Sequence, residues 1–178
     1  MKARHLTAVL ALTLSAVAAH AQLYHFDINL TPDQEPSMPA SSGIGSGTAT
    51  LDWPSLMFTL DFAFVNLVAP TTASHVHQAP PGVNGPVLIP LALTPLGATF
   101  GSGHFDGAIS EAQALAILSG DTYVNVHTTA YPGGEIRGQI VAVPMAPVPE
   151  PSTYALLGAG ALLVGVVVRR FRATRAVA

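Results

Sequence analysis

His75 and His77 flank a single valine, and that spacing is the strongest chemical signal in the chain. In a strand, residues i and i+2 point the same way, so both imidazoles share one face while Val76 packs on the other. Two imidazoles so placed can chelate one ion. Further on, Val124 and Val126 alternate with Tyr123, Asn125 and His127, which sends His127 to the polar face of its own strand. If the two strands adjoin, His75, His77 and His127 converge as a three-nitrogen site suited to copper or zinc. Beyond them, Glu135, Arg137 and Gln139 share a face opposite Ile136 and Ile140. Glu135 and Arg137 are expected to be structural, with Arg137 neutralising a carboxylate such as Glu135 or Asp121 in a surface bridge contributing about 0–1 kcal/mol. A second ion would have only His104, with Asp106, as ligands, and His104 and His25 read more simply as surface histidines.

Other chemistries are poorly served. Ser74 and Ser102 have histidines nearby, yet neither sits in a Gly-x-Ser-x-Gly elbow, and no phosphate-cradling Gly-x-x-x-x-Gly-Lys occurs. The absence of cysteine excludes thiol chemistry and disulfides. Six of the seven basic residues lie near the two ends, so between residues 22 and 148 Arg137 alone faces nine carboxylates. So acidic a surface repels nucleic acid and anionic lipid, which require basic patches, and suits cations. A non-enzymatic role is the expectation.

The elements that must position these residues have a period of two, the signature of half-buried strands. Tyr24, Phe26, Ile28 and Leu30 alternate with polar residues, as do Leu56, Phe58, Leu60, Phe62 and Phe64. Further strands are expected at 47–52, 74–78, 87–91, 99–106, 122–128 and 135–143. Turn formers separate them, among them Pro80-Pro81-Gly82, Asn84-Gly85-Pro86 and Tyr131-Pro132-Gly133-Gly134. Many short strands joined by such turns predict an all-β antiparallel sandwich. One helix interrupts it: Ser110-Glu111-Ala112-Gln113 is a capping-box pattern, 114–118 are helix-compatible, and Gly120 can end the turn.

His75-Val76-His77, Tyr123-Val124-Asn125-Val126-His127-Thr128 and Gly134-Glu135-Ile136-Arg137-Gly138-Gln139, in this order, resemble the CHRD (chordin-type) domain of secreted proteins over roughly residues 24–141. The resemblance implies an immunoglobulin-like β-sandwich outside the cytoplasm and leaves the activity open. A His-Val-His strand in a Greek-key sandwich also resembles Cu,Zn superoxide dismutase, as does an arginine before a glycine and an apolar strand. This chain departs from that enzyme in lacking a cysteine pair. Two functions therefore stand at this point. The first is a non-catalytic surface or matrix module that holds a metal through histidines, and the alternative is a copper-dependent redox protein of dismutase type.

The two ends describe export. Lys2, Arg4 and His5 precede an apolar stretch from Leu6 to Ala18 and the small residues Ala19-His20-Ala21, a signal peptide over residues 1–21 for signal peptidase to remove. The domain is expected over 22–143, a proline-rich spacer over 144–152, and a hydrophobic helix with an arginine-rich end over 153–178. The fifteen residues from Tyr154 to Val168 rise about 22 Å as a helix, short of a comfortable span, so the tail is a marginal anchor. Arg169, Arg170 and Arg172 put its far end in the cytoplasm. Pro149-Glu150-Pro151 with this apolar run and Arg169 and Arg170 resembles the PEP-CTERM sorting signal of Gram-negative bacteria. That resemblance implies an exosortase-type partner, transient anchoring in the inner membrane, and release to the cell surface, where extracellular polysaccharide or surface matrix is the expected neighbour.

Overall fold

The computed structural model describes residues 22–53, 55–144, 155–156, 158–162 and 164. The expected signal peptide at 1–21 and the sorting residues Pro149, Glu150, Pro151, Arg169 and Arg170 lie outside these. Residues 1–143 and 144–178 form separate units. In the second, residues 155–156, 158–162 and 164 are helical, and among the described residues no helix is long and apolar enough to cross a membrane.

The first unit is all-β apart from one helix. Its strands are β1 (Gln22–Leu30), β2 (Ile44–Trp53), β3 (Met57–Val65), β4 (Thr71–Gln78), β5 (Val87–Pro90), β6 (Ala92–Thr94), β7 (Gly101–Ala108), β8 (Thr122–Thr128) and β9 (Ile136–Ala142). They pair antiparallel in the order β5-β4-β8-β9-β1-β2-β3-β7-β6. The chain crosses between the two halves of this order at β3 to β4, at β5 to β6 and at β7 to β8, giving the all-β antiparallel sandwich that the alternation predicts, with the Greek-key crossovers that the resemblance implies. β5 and β6 are consecutive in sequence yet stand at opposite edges of the order. At the corner between them the Leu91 N–H donates to Ser74 O at 3.0 Å, which extends the pairing of this segment with β4.

The alternation holds where it was strongest. Phe26, Ile28 and Leu30 of β1 and Phe58, Leu60, Phe62 and Phe64 of β3 are buried, against Val76, Ile89, Val124, Val126, Ile136 and Ile140 from the other half. The β3 aromatics need room sideways. A Cβ at Gly103 would strike the Phe62 ring, so this glycine of β7 lets the ring lie across it, while one at Gly47 of β2 would strike Asp61 O and the Phe62 Cβ. Two expectations shift. Leu56 stands in the β2–β3 turn at φ +59°, its N–H bonded to Asp52 O, rather than opening β3. The expected strand at 87–91 is broken at the Leu91 corner, after which the chain continues as β6.

Helix α1 (Glu111–Leu118) begins as its sequence says. Ser110 Oγ accepts from the Gln113 N–H, and the Gln113 side chain accepts from the Ser110 N–H. Ala114 and Ile117 enter the core, and Gln113 Nε2 donates to Leu88 O at 3.0 Å, tying the helix to β5. Gly120, at φ +80°, takes the left-handed conformation just past the end.

The polar face of β8 departs from the simple pattern, since all seven of its residues are buried. Tyr123, Asn125 and His127 do point away from the apolar core, but loops cover them. The loop at 79–86 lies over this face, with the Gly85 N–H donating to Tyr123 Oη at 3.1 Å and Gln139 Nε2 donating to Ala79 O at 3.1 Å. The segment after β1 covers more of it, through Ser41 Oγ donating to Glu135 Oε1 at 2.7 Å. A period-two pattern reports which side a residue faces, and chain folded over that side then decides whether it meets water.

Candidate metal centre

β4 and β8 are neighbours, with Ala73 opposite His127, His75 opposite Asn125 and His77 opposite Tyr123. The i, i+2 pair on β4 therefore meets a single histidine from β8 on the same face. His75 Nδ1 lies 3.1 Å from His127 Nε2, and His77 Nε2 lies 3.4 Å from the same atom. One nitrogen from each of the three side chains falls within 4.8 Å of the others. The sequence joins these three only on the condition that their strands adjoin, and the fold makes β4 and β8 neighbours.

Two backbone carbonyls fix which nitrogen faces inward. His77 Nδ1 sits 2.9 Å from Gly85 O, and His127 Nδ1 sits 2.9 Å from Pro132 O. A carbonyl only accepts, so each Nδ1 carries the hydrogen and each Nε2 presents a lone pair to the cluster. Metal-bound histidines are oriented in the same way, their second ring nitrogen donating to a carbonyl or carboxylate. Both carbonyls belong to proline- and glycine-rich turns, Asn84-Gly85-Pro86 and Pro132-Gly133-Gly134.

Electrostatics keep the rings in the ligand form. Burial pushes the His127 imidazole down to about 4, against the Pro132 carbonyl and with help from His75 and His77. Burial also lowers His75, aided by His77, and it lowers His77, where the Gly85 carbonyl opposes it and the Arg137 charge adds to it. All three are thus held neutral at neutral pH. His77 and His127 are 8% and 9% exposed, whereas His75 is only partly buried.

Arg137 and Glu135 are both buried, and neither is the surface partner that sequence suggests for the other. Arg137 is 1% exposed, and its guanidinium donates to Val83 O at 2.8 Å and Pro80 O at 3.0 Å. The guanidinium carbon lies 3.4 Å from the centroid of the Tyr123 ring, and the His77 imidazole stacks on that ring at 5.1 Å and 12°. Arg137 therefore anchors the loop whose Gly85 carbonyl orients His77. Glu135, fully buried, accepts from Ser41 Oγ and the Val68 N–H at Oε1 and from Thr128 Oγ1 at Oε2, each at 2.7 Å. Three donors compensate its burial and tie β8 to two loops.

Sequence reasoning puts Tyr123 and Asn125 on the face of His127 but misses Glu35 as a member of this region. Glu35 follows a 3-10 turn at Pro32–Gln34 and is 2% exposed. Burial pushes its carboxyl up, against the lowering effects of Arg137 and the Asn125 amide. The available signal for the cover was the pair of turns at 80–86, which begins three residues after His77. His104 and Asp106 are not gathered into a second centre: exposed His104 pairs with Asp61 at 2.7 Å, and Asp106 accepts from Thr59 Oγ1 at 3.0 Å. His25 is exposed on β1.

Comparison with known families agrees with this architecture. The family model for the CHRD domain matches residues 26–140, and that for the PEP-CTERM protein-sorting motif matches residues 147–172. The sorting motif marks a chain for export through a membrane-anchored intermediate and for exosortase-type processing. No curated protein and no solved structure matches the chain.

Proposed function

We propose that this chain, which belongs to the CHRD domain family and carries a PEP-CTERM sorting motif, is a non-catalytic cell-surface module that holds one copper or zinc ion through His75, His77 and His127. The observation that carries this reading is the convergence of three imidazole nitrogens, two of them with the lone pair turned inward by a backbone carbonyl. The carbonyl bonds alone are what any buried imidazole requires, but they leave the Nε2 atoms of His77 and His127 facing each other at 3.4 Å with no hydrogen between them, an arrangement that an ion between them would satisfy. Residues 1–21 are removed by signal peptidase, the domain occupies 22–143, and the spacer at 144–152 holds it away from the tail at 153–178. The tail is cut after the Pro149-Glu150-Pro151 motif. The released domain associates with extracellular polysaccharide or surface matrix, its acidic surface favouring cationic or neutral partners over nucleic acid.

Metal analysis of the full chain tests this. One equivalent of copper or zinc is expected to survive dialysis and to raise the melting temperature, because an ion that binds only the folded state stabilises it by mass action. His77→Ala and His127→Ala are each expected to abolish tight binding, and His25→Ala to leave it intact. Undiminished binding by the double variant His75→Ala/His77→Ala would remove the site and leave a metal-free module. A copper-dependent redox role of superoxide dismutase type would use the same three imidazoles, and copper-loaded chain that disproportionates superoxide would favour it.

A further inference from the structure

We infer that an ion held by His75, His77 and His127 keeps one coordination position for an exchangeable ligand, and that this ligand is a small anion or metal-bound hydroxide. This rests on the reading of the cluster as a metal site. Three features lead to it. The first is spacing: at a metal–nitrogen distance of about 2.0–2.1 Å, neighbouring corners of a tetrahedron lie roughly 3.3–3.4 Å apart. The two separations from His127, 3.1 and 3.4 Å, sit close to such edges, and the third lies within 4.8 Å, so an ion would draw His75 and His77 together to complete the triangle. Among the described residues the group contains three ligating side chains, which occupy three corners. Sites that only stabilise a fold close all four with protein, whereas sites that work on an outside molecule leave one for it.

The second is the direction of access. His77 and His127 are backed by Gly85 O and Pro132 O and lie beneath the covering loops, while His75 is the partly exposed member. An incoming ligand meets the ion from the His75 side.

The third is charge. Three neutral imidazoles leave the full charge of a divalent ion uncompensated. Arg137 adds a buried guanidinium on β9, across Tyr123 of β8 from His77 of β4. Of the buried carboxyls nearby, Glu135 gives its oxygens to Ser41, Val68 and Thr128, and burial disfavours the charged form of Glu35. A metal already lowers the pKa of its bound water, and added positive charge favours an anion there over a neutral ligand.

The test loads the full chain with Co(II), whose visible bands report coordination number, and titrates it with azide. The expected result is one Co(II) per chain, strong four-coordinate bands, and a saturable shift with one azide per ion. Arg137→Gln is expected to weaken azide binding about tenfold, the effect of one unit charge at roughly 10 Å and an effective dielectric of about 20. Arg137→Lys should keep the affinity. If Arg137→Gln fails to fold, the charge test uses acetonitrile, a neutral molecule of similar size. The unaltered chain should prefer azide over it more strongly than a small three-imidazole Co(II) complex does. Bound Co(II) whose spectrum ignores azide would overturn the open position, and equal azide affinity without the Arg137 charge would overturn the preference for anions. Failure of Co(II), copper and zinc alike to bind would instead remove the metal reading beneath it.

Discussion

Arg137 gives the sharpest contrast between what sequence suggests and what the fold requires. A surface ion pair with Glu135 or Asp121 would contribute about 0–1 kcal/mol. In the structure the guanidinium is buried, bonded to two loop carbonyls and set over an aromatic ring. Hydrogen bonds to a charged group contribute about 1.5–3 kcal/mol each, and a desolvated cation–π contact about 2. These do not add in full, because burying the guanidinium itself costs free energy. Arg137→Met keeps the length of the side chain but leaves Pro80 O and Val83 O without their donors under the loop, so the expected loss is about 3–5 kcal/mol. Arg137→Lys should fall between, since an ammonium retains the charge but not the fork that reaches both carbonyls. Urea unfolding of the full chain, followed by the fluorescence of Trp53, the one tryptophan, measures this. Trp53 packs against the core of the β unit, so the signal reports that unit. The loosened loop also takes Gly85 O away from His77, so metal affinity should fall with stability. A loss below about 1 kcal/mol for Arg137→Met would refute the reasoning and return Arg137 to the surface.

Gly134 has φ +128°, and a Cβ there would meet the Asn125 amide and Glu35 Oε1. Gly134→Ala should therefore cost at least about 2 kcal/mol, while Gly133→Ala, whose Cβ meets nothing, should stay within about 0.5 in the same urea assay. Leu60, fully buried among the β3 aromatics, should cost about 2–5 kcal/mol when cut to alanine, and a loss under 1 would mean that this face is not core. For the metal-free chain, His127 takes up its proton near 6.5 when unfolded but only near 4 when folded. Its contribution is complete above about pH 6.5 and disappears as pH falls toward 4, a loss of up to about 3 kcal/mol. Glu35 acts in the opposite sense: burial raises its carboxyl, so its contribution is present at low pH and fades as pH rises through the folded value. Urea midpoints between pH 7 and 4 in the Glu35→Gln background remove the carboxyl and leave His75, His77 and His127, all lowered by burial, and a flat profile there would contradict the assigned burial.

The centre was legible in sequence to the extent that it depends on strand geometry. His75 and His77 had to share a face once β4 was a strand, and His127 had to share the polar face of β8 once Val124 and Val126 turned inward. Period two supplied both statements, along with the core of β1 and β3 and the start of α1. What it lacked was the third dimension of the same face. The Arg137 bonds to Pro80 and Val83 and the carbonyls that orient His77 and His127 come from loops, where side-chain periodicity gives no register. Glu35 enters from a turn 90 residues before Asn125 in the chain and is invisible to local spacing for the same reason. The composition nevertheless contained a warning. With Arg137 the only basic residue between 22 and 148, a domain carrying nine carboxylates did not have enough cations to pair them at its surface. One arginine in that position is better used inside, where a rigid five-donor fork can hold a loop closed over His77. The residue that looked like the most ordinary surface charge is therefore the one that connects the fold to the centre.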